Sequence, residues 1–303
     1  MDDEACTVSV RTDPLTYVLL PHFAVPPLSR RAASRYVQPL REGGSLPAVV
    51  DTEEGELYVV KFRGAGQGAK VLIAELIVGG IAQCLGLPTP DLAIVNIPAR
   101  FGRSEPDPEI QELLRRSHGV NVGLRYLDGA FNFEPSAAGK FITPQLAASI
   151  VWLDAFTTNP DRTHRNPNLM IWQRRPWLID HGAALYAHHD WPSVDDARAR
   201  TSFPLIRSHV LLANAGDLAA ADADAVARLT ETVLADVIAV VPDELLMDSA
   251  AGGVDFNSPD DGRHRYVDYL LTRLAAPRTW VSEAITAQQQ LRGEEPQHLL
   301  ARR

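Results

Sequence analysis

Cysteine is scarce, lysine scarcer still, and long apolar runs are missing; each shortage closes off a class of protein. Two cysteines in 303 residues, Cys6 and Cys84, are too few for a disulfide framework or a zinc knuckle. Cys84 sits in the apolar stretch Ile81-Ala82-Gln83-Cys84-Leu85, where core packing accounts for it. No stretch of about eighteen consecutive apolar residues occurs, and Met1-Asp2-Asp3-Glu4 is acidic where a signal peptide would be basic. The expectation is a cytoplasmic protein without membrane insertion. Positive charge is also short: a net charge of −9 argues against general, phosphate-driven affinity for nucleic acid and leaves only a local basic cleft for a phosphate ligand. Lysine supplies three of the 29 basic residues, Lys61, Lys70 and Lys140. A lysine inside an apolar strand therefore needs a reason.

The 46% hydrophobic content is enough for one large core or two abutting lobes. From about Tyr17 to Ile97 the pattern is one of short strands and one helix. Strands are expected over Tyr36 to Leu40, Pro47 to Asp51 and Leu57 to Phe62, separated by the glycine-containing turn Arg41-Glu42-Gly43-Gly44-Ser45 and the hairpin turn Glu53-Glu54-Gly55-Glu56. Together they predict a small antiparallel sheet. Lys70 to Leu85 has helical spacing, with Gly86 as a stop and Pro88 beyond it, and Asp91 to Ile97 is a further strand. Residues 98–121 are polar and proline-containing, with one charged amphipathic segment from Glu109 to Arg116, and are expected to form a surface insertion. After a strand from Val120 to Leu127 the chain turns helical. Helices are expected over Pro144 to Thr158, roughly Pro204 to Ala213, Ala220 to Val241, and Arg263 to Gln290 with a break at Pro277.

Two polar segments lie where the helical half would meet the sheet. The first runs from Asn159 to Asn168 and includes Asp161, His164 and Asn166, between an apolar helix and the apolar Leu169-Met170-Ile171-Trp172. The second is Ile179-Asp180-His181-Gly182, reached through a hairpin at Gln173 to Pro176, which would return Asp180 toward Asn166 and Asn168. Phosphoryl transfer asks for such a set: one aspartate to orient an acceptor hydroxyl, and an asparagine with a second aspartate to hold magnesium, with the asparagine five positions after the first aspartate. Lys61 lies in the half-buried strand Tyr58-Val59-Val60-Lys61-Phe62. Glu75 shares a helix face with Val71, Val78 and Ala82, so its carboxylate points inward and Lys61 is its natural partner. Capping and turn chemistry would explain Asp161 and Asn166 more blandly, and Lys61 by itself could lie on an edge strand. His188-His189-Asp190 carries no metal reading, because adjacent histidines in a loop are more often structural.

In chain order, Lys61, Glu75, then Asn159-Pro160-Asp161-Arg162 with Asn166, Asn168-Leu169-Met170 and Ile179-Asp180-His181-Gly182 resemble the HipA-like kinases, over roughly Tyr36 to Tyr186. Their catalytic loop is also similar to that of the phosphatidylinositol 4-kinases. The resemblance implies an α+β, bilobal protein-kinase-like fold: a small mixed-sheet N-lobe over 15–127 with an insertion near 98–119, a helical C-lobe over 128–292, and a tail over 293–303. It implies ATP and Mg2+ as cofactors, Asp161 as the catalytic aspartate, Asn166 and Asp180 as metal ligands, and Lys61 with Glu75 on the nucleotide phosphates. Gly43 and Gly44 are counted with the nucleotide-binding residues, although a glycine pair in a hairpin needs no phosphate to explain it. The implied partner besides ATP is a hydroxyl-bearing acceptor, a protein serine or threonine by resemblance, with a small metabolite or a lipid headgroup left open. A nucleotide-binding pseudokinase acting as a regulatory protein is the alternative from another class.

Overall fold

The computed structural model describes residues 27–40, 46–66, 68–103, 105–248 and 255–293. Cys6, the turn that carries Gly43 and Gly44, and the end of the expected tail lie outside the described residues. The fold is mixed α and β. Strands β1 (Ser29–Pro39), β2 (Ala48–Thr52) and β3 (Leu57–Lys61) lead into helix α1 (Gly68–Cys84), followed by β4 (Leu92–Ile97), α2 (Pro108–Arg116) and β5 (Gly119–Arg125). The next segment contains β6 (Phe131–Asn132), α3 (Ala138–Phe141), α4 (Pro144–Phe156) and the hairpin of β7 (Leu169–Trp172) and β8 (Arg175–Leu178). Helices α5 (Asp196–Ala199), α6 (Leu218–Arg228), α7 (Glu231–Ala239), α8 (Asp243–Leu246), α9 (Pro259–Leu274) and α10 (Thr279–Gly293) complete it. No helix among the described residues is long and apolar enough to cross a membrane.

The first sheet is a closed barrel in the order β1-β2-β3-β5-β4, not the purely antiparallel sheet that the short hairpins suggest. Four of its pairings are antiparallel, and β1 closes on β4 in parallel through Ser29 to Ala32 against Ala93 to Asn96. Topology requires this, since strand direction around a ring can alternate throughout only if the number of strands is even. The hairpin at Glu53 to Glu56 forms as expected, with Gly55 at φ 77°, a conformation in which a side chain would be strained.

Along β4, Ala93, Val95 and Ile97 belong to the cluster that fills the barrel, whereas Ile94 belongs to the larger core shared with α1. Helix α2 is less of a surface feature than its polar flanks suggest. Asp107 caps it, and Ile110, Leu113 and Leu114 join the barrel cluster.

Helix α1 has no wet face: 14 of its 17 residues are buried. It packs against β5 on one side and against α7 and α8 on another. Two glycines permit close contacts, since a Cβ on Gly79 would lie 2.7 Å from Leu92 of β4 and one on Gly80 2.9 Å from Val237 of α7. The single helix expected over 220–241 is divided, because Thr230 caps α7 by accepting a hydrogen bond from the Val233 N–H. The helix expected over 204–213 is replaced by short 3-10 turns at 204–208 and 212–214, with His209 extended between them and bridged to Thr163. The break at Pro277 falls between α9 and α10 as expected.

Candidate active site

Lys61 ends β3 with its side chain turned inward, where it meets Glu75 on α1. Its ammonium donates to Glu75 Oε2 at 2.7 Å and to Asp180 Oδ1 at 2.5 Å. The Glu75 oxygen also accepts from the His181 N–H at 2.8 Å, so the strand lysine, the helix glutamate and the loop of Asp180 are tied at one point. Glu75 is fully buried, while the Asp180 side chain remains 40% exposed at the rim. Burial alone would raise the Asp180 carboxyl, but the adjacent Lys61 holds it below the usual carboxylate range. Burial would likewise discharge Lys61, and the two carboxylates prevail to keep its pKa raised. Burial raises the Glu75 carboxyl against the opposing pull of Lys61, so of the two carboxylates Asp180 is the one held ionised.

Asp161 follows α4 through a turn at Thr158, whose φ is 53°. Its Oδ2 accepts from Asn166 Nδ2 at 2.8 Å and Asn168 Nδ2 at 3.1 Å, and its N–H donates to Asn159 Oδ1 at 3.1 Å. The five-residue step from Asp161 to Asn166 thus closes a loop on itself. Asn168 adopts φ 48°, a conformation asparagine tolerates better than most residues. The β7–β8 hairpin forms where expected, but β8 ends at Leu178, and Asp180 stands beyond it at φ 56°. The two loops join through the backbone, with the Ile179 N–H donating to the Asn168 carbonyl at 3.1 Å. The carboxylate of Asp180 meets Lys61 and not the two asparagines. Gly182 lets α1 approach, since a Cβ there would lie 2.4 Å from Val71.

Behind both loops lies a buried polar group that sequence reasoning missed. Asp154, in the last turns of α4, accepts from Asn159 Nδ2 at 2.9 Å, Arg162 Nε at 2.6 Å and His209 Nε2 at 2.9 Å. Burial works to raise its carboxyl, but Arg162 and His209 hold it well below the ordinary range. His209 Nδ1 accepts from the Leu211 N–H at 3.1 Å, which fixes the neutral tautomer and agrees with a pKa pushed down by burial. The one available signal was a charged residue inside the apolar run Ile150-Val151-Trp152-Leu153-Asp154-Ala155.

Of the remaining histidines, His164 is exposed. His188 is buried against the Tyr266 hydroxyl at 3.1 Å. Among the described residues no three His, Cys, Asp or Glu side chains cluster to hold a metal. Oxygen donors that could hold one are Asp180, beside Lys61, and Asn166, on the loop of Asp161. That small, hard set suits an ion that keeps most of its shell as water and phosphate oxygen.

A model of the HipA-like kinase family matches residues 34–251, a span that contains Lys61, Glu75, Asp161, Asn166 and Asp180. The chain belongs to the HipA-like kinase family. No curated protein matches it. Among solved structures it is similar to the crystal structure of a Helicobacter pylori proinflammatory kinase, CtkA, at 12% identity, covering 88% of this chain and 100% of that one with a TM-score of 0.49. The HipA-like match takes in the barrel from within β1 and continues through α8, and α9 and α10 lie beyond it.

Burial drives the His188 pKa well below its ordinary value, so the folded protein binds this proton less readily than the unfolded chain does. The stability this contributes is present above pH ~6.5 and is lost as pH falls below it. Between pH 6.5 and 5, the unfolding free energy of the wild type is expected to fall more steeply than that of a His188→Gln variant, by up to ~1.4 kcal/mol per pH unit. Urea titrations at several pH values measure this. Equal slopes would mean that His188 is charged in the folded state.

Proposed function

We propose that this protein is an ATP- and magnesium-dependent kinase that transfers the γ-phosphate to a hydroxyl, with a protein serine or threonine as the acceptor that family membership favours. The observation that carries the reading is the pair of hydrogen bonds that Lys61 donates, to Glu75 on α1 and to Asp180 beside the Asp161 loop. A buried lysine held by a helix carboxylate at the edge of a second acidic group suits the triphosphate of a nucleotide. On nucleotide binding Lys61 keeps Glu75 and exchanges Asp180 for phosphate oxygens. Asp180 and Asn166 would then hold magnesium, which when bound neutralises charge on the phosphates.

Asp161, with one oxygen engaged by Asn166 and Asn168, accepts the acceptor's proton on the other. The hydroxyl oxygen bonds to the γ-phosphorus as the bond to the β–γ bridging oxygen breaks, and ADP leaves with that electron pair. In this reading the barrel and α1, within 15–127, form the nucleotide lobe, the helices of 128–292 form the acceptor lobe, and the protein works in the cytoplasm without general nucleic-acid binding. Gly43 and Gly44 belong to the nucleotide lobe as candidate phosphate contacts.

Thermal-shift titration with ATP and magnesium, on the wild type and on Asp180→Asn, tests the site. A ligand at 100 times its Kd stabilises the folded state by about 2.7 kcal/mol. A magnesium-dependent rise lost in Asp180→Asn is expected, and no rise in either protein overturns the reading. A rise without phosphate transfer to any acceptor, the protein itself included, would mark a pseudokinase.

A further inference from the structure

Arg162 follows Asp161 directly, yet its side chain turns away from solvent and is wholly buried against Asp154. One end of the guanidinium is fixed, with Nε on Asp154 Oδ2 at 2.6 Å. The other end fans out over both loops. One terminal nitrogen donates to the Asn168 carbonyl and, at 3.4 Å, to the Ile179 carbonyl, and the second lies 3.3 Å from His181 Nδ1. Asn168 closes the loop of Asp161 and Asn166, and Ile179 and His181 are the neighbours of Asp180 on either side. The anchor is itself held, because His209 donates to the same Asp154 oxygen and the Val210 N–H donates to the Arg162 carbonyl at 3.0 Å. His181 passes the connection on through its N–H to Glu75.

We propose that Arg162 is the positioning residue that sets the distance and orientation between the Asp161–Asn166 loop and Asp180, with Asp154 as its anchor. The role rests on the kinase reading of those two loops. Burying a guanidinium is costly, and a hydrophobic side chain would fill the volume more cheaply. The charge has a use here because its planar fork reaches acceptors on two chain segments at once from one fixed carboxylate. A lysine in its place keeps the charge on Asp154 but has a single nitrogen, and it cannot span both loops.

The test uses the full chain with Arg162→Lys, and Val237→Ala as a comparator that loosens the core where α7 meets Gly80 of α1. Amide hydrogen exchange of the nucleotide-free proteins, at matched global stability, reads the coupling directly. Arg162→Lys is expected to speed exchange about tenfold or more in both 161–168 and 178–182, while Val237→Ala changes neither selectively. In the magnesium titration of ATP-dependent stabilisation, Arg162→Lys is expected to raise the magnesium midpoint about 10- to 100-fold, the usual effect of losing a group that orients metal ligands. Exchange that quickens in one loop only, or in neither, overturns the proposal, as does an unchanged magnesium midpoint. If the wild type shows no magnesium-dependent stabilisation, the kinase reading fails separately, and the exchange arm still decides whether Arg162 ties the loops.

Discussion

Asp161→Asn is expected to slow phosphate transfer about 10³-fold while leaving magnesium-dependent stabilisation by ATP almost unchanged. The substitution is nearly isosteric, and the new carboxamide oxygen can still accept from Asn166 and Asn168, so the loop keeps its shape. What is lost is the capacity to take a proton from the acceptor hydroxyl, because an amide oxygen is a far weaker base than a carboxylate. Single-turnover loss of the γ-phosphate, followed beside thermal shifts, separates the two effects. A rate within threefold of wild type would move the base elsewhere, while loss of nucleotide binding together with rate would make Asp161 a binding residue.

The second large effect concerns stability. Asp154→Ala removes the carboxylate that accepts from Arg162, His209 and Asn159, and leaves a fully buried guanidinium without its counter-charge. Breaking one side of a buried ion pair costs about 3–5 kcal/mol, a large share of the roughly 5–15 kcal/mol that holds a domain together. Urea unfolding should show a lower midpoint with little change in slope. The double variant Asp154→Leu with Arg162→Met is expected to recover part of the loss, since two apolar side chains leave no unpaired charge. Near-equal stability of Asp154→Ala and wild type would mean that Arg162 finds water when its partner is gone.

The parts of the site that depend on short stretches of chain were legible in the sequence. Asp161 and Asn166 lie five apart and bond within one loop, and the β7–β8 hairpin that leads to Asp180 is announced by its turn residues. Lys61 was legible as a lysine inside an apolar strand and Glu75 by three- and four-residue spacing in the helix, and they meet at 2.7 Å. The Lys61–Asp180 bond joins residues 119 apart and has no local signature. Asp154 was hidden in part for the same reason, since His209 is 55 residues away, although its other partners, Asn159 and Arg162, are near it in the chain. The apolar spacing of Leu205, Ile206, Val210 and Leu211 reads as helical, but His209 is drawn into an extended conformation by its bridge to Thr163, a tertiary demand that outweighs local preference. The parallel closure of the barrel was equally invisible, because it follows from counting strands around a ring that no single segment reveals.

The buried helix α1 bears on how the protein could ever be divided. Its apolar surface is covered partly by β5 from one side and partly by α7 and α8, which come more than a hundred residues later in the chain. A fragment that stops after the barrel would leave Leu72, Ile73, Leu76 and Ile77 without part of their cover, a stretch that water tolerates poorly and that other exposed chains would stick to. The nascent barrel is thus expected to stay prone to aggregation until α7 and α8 have been synthesised.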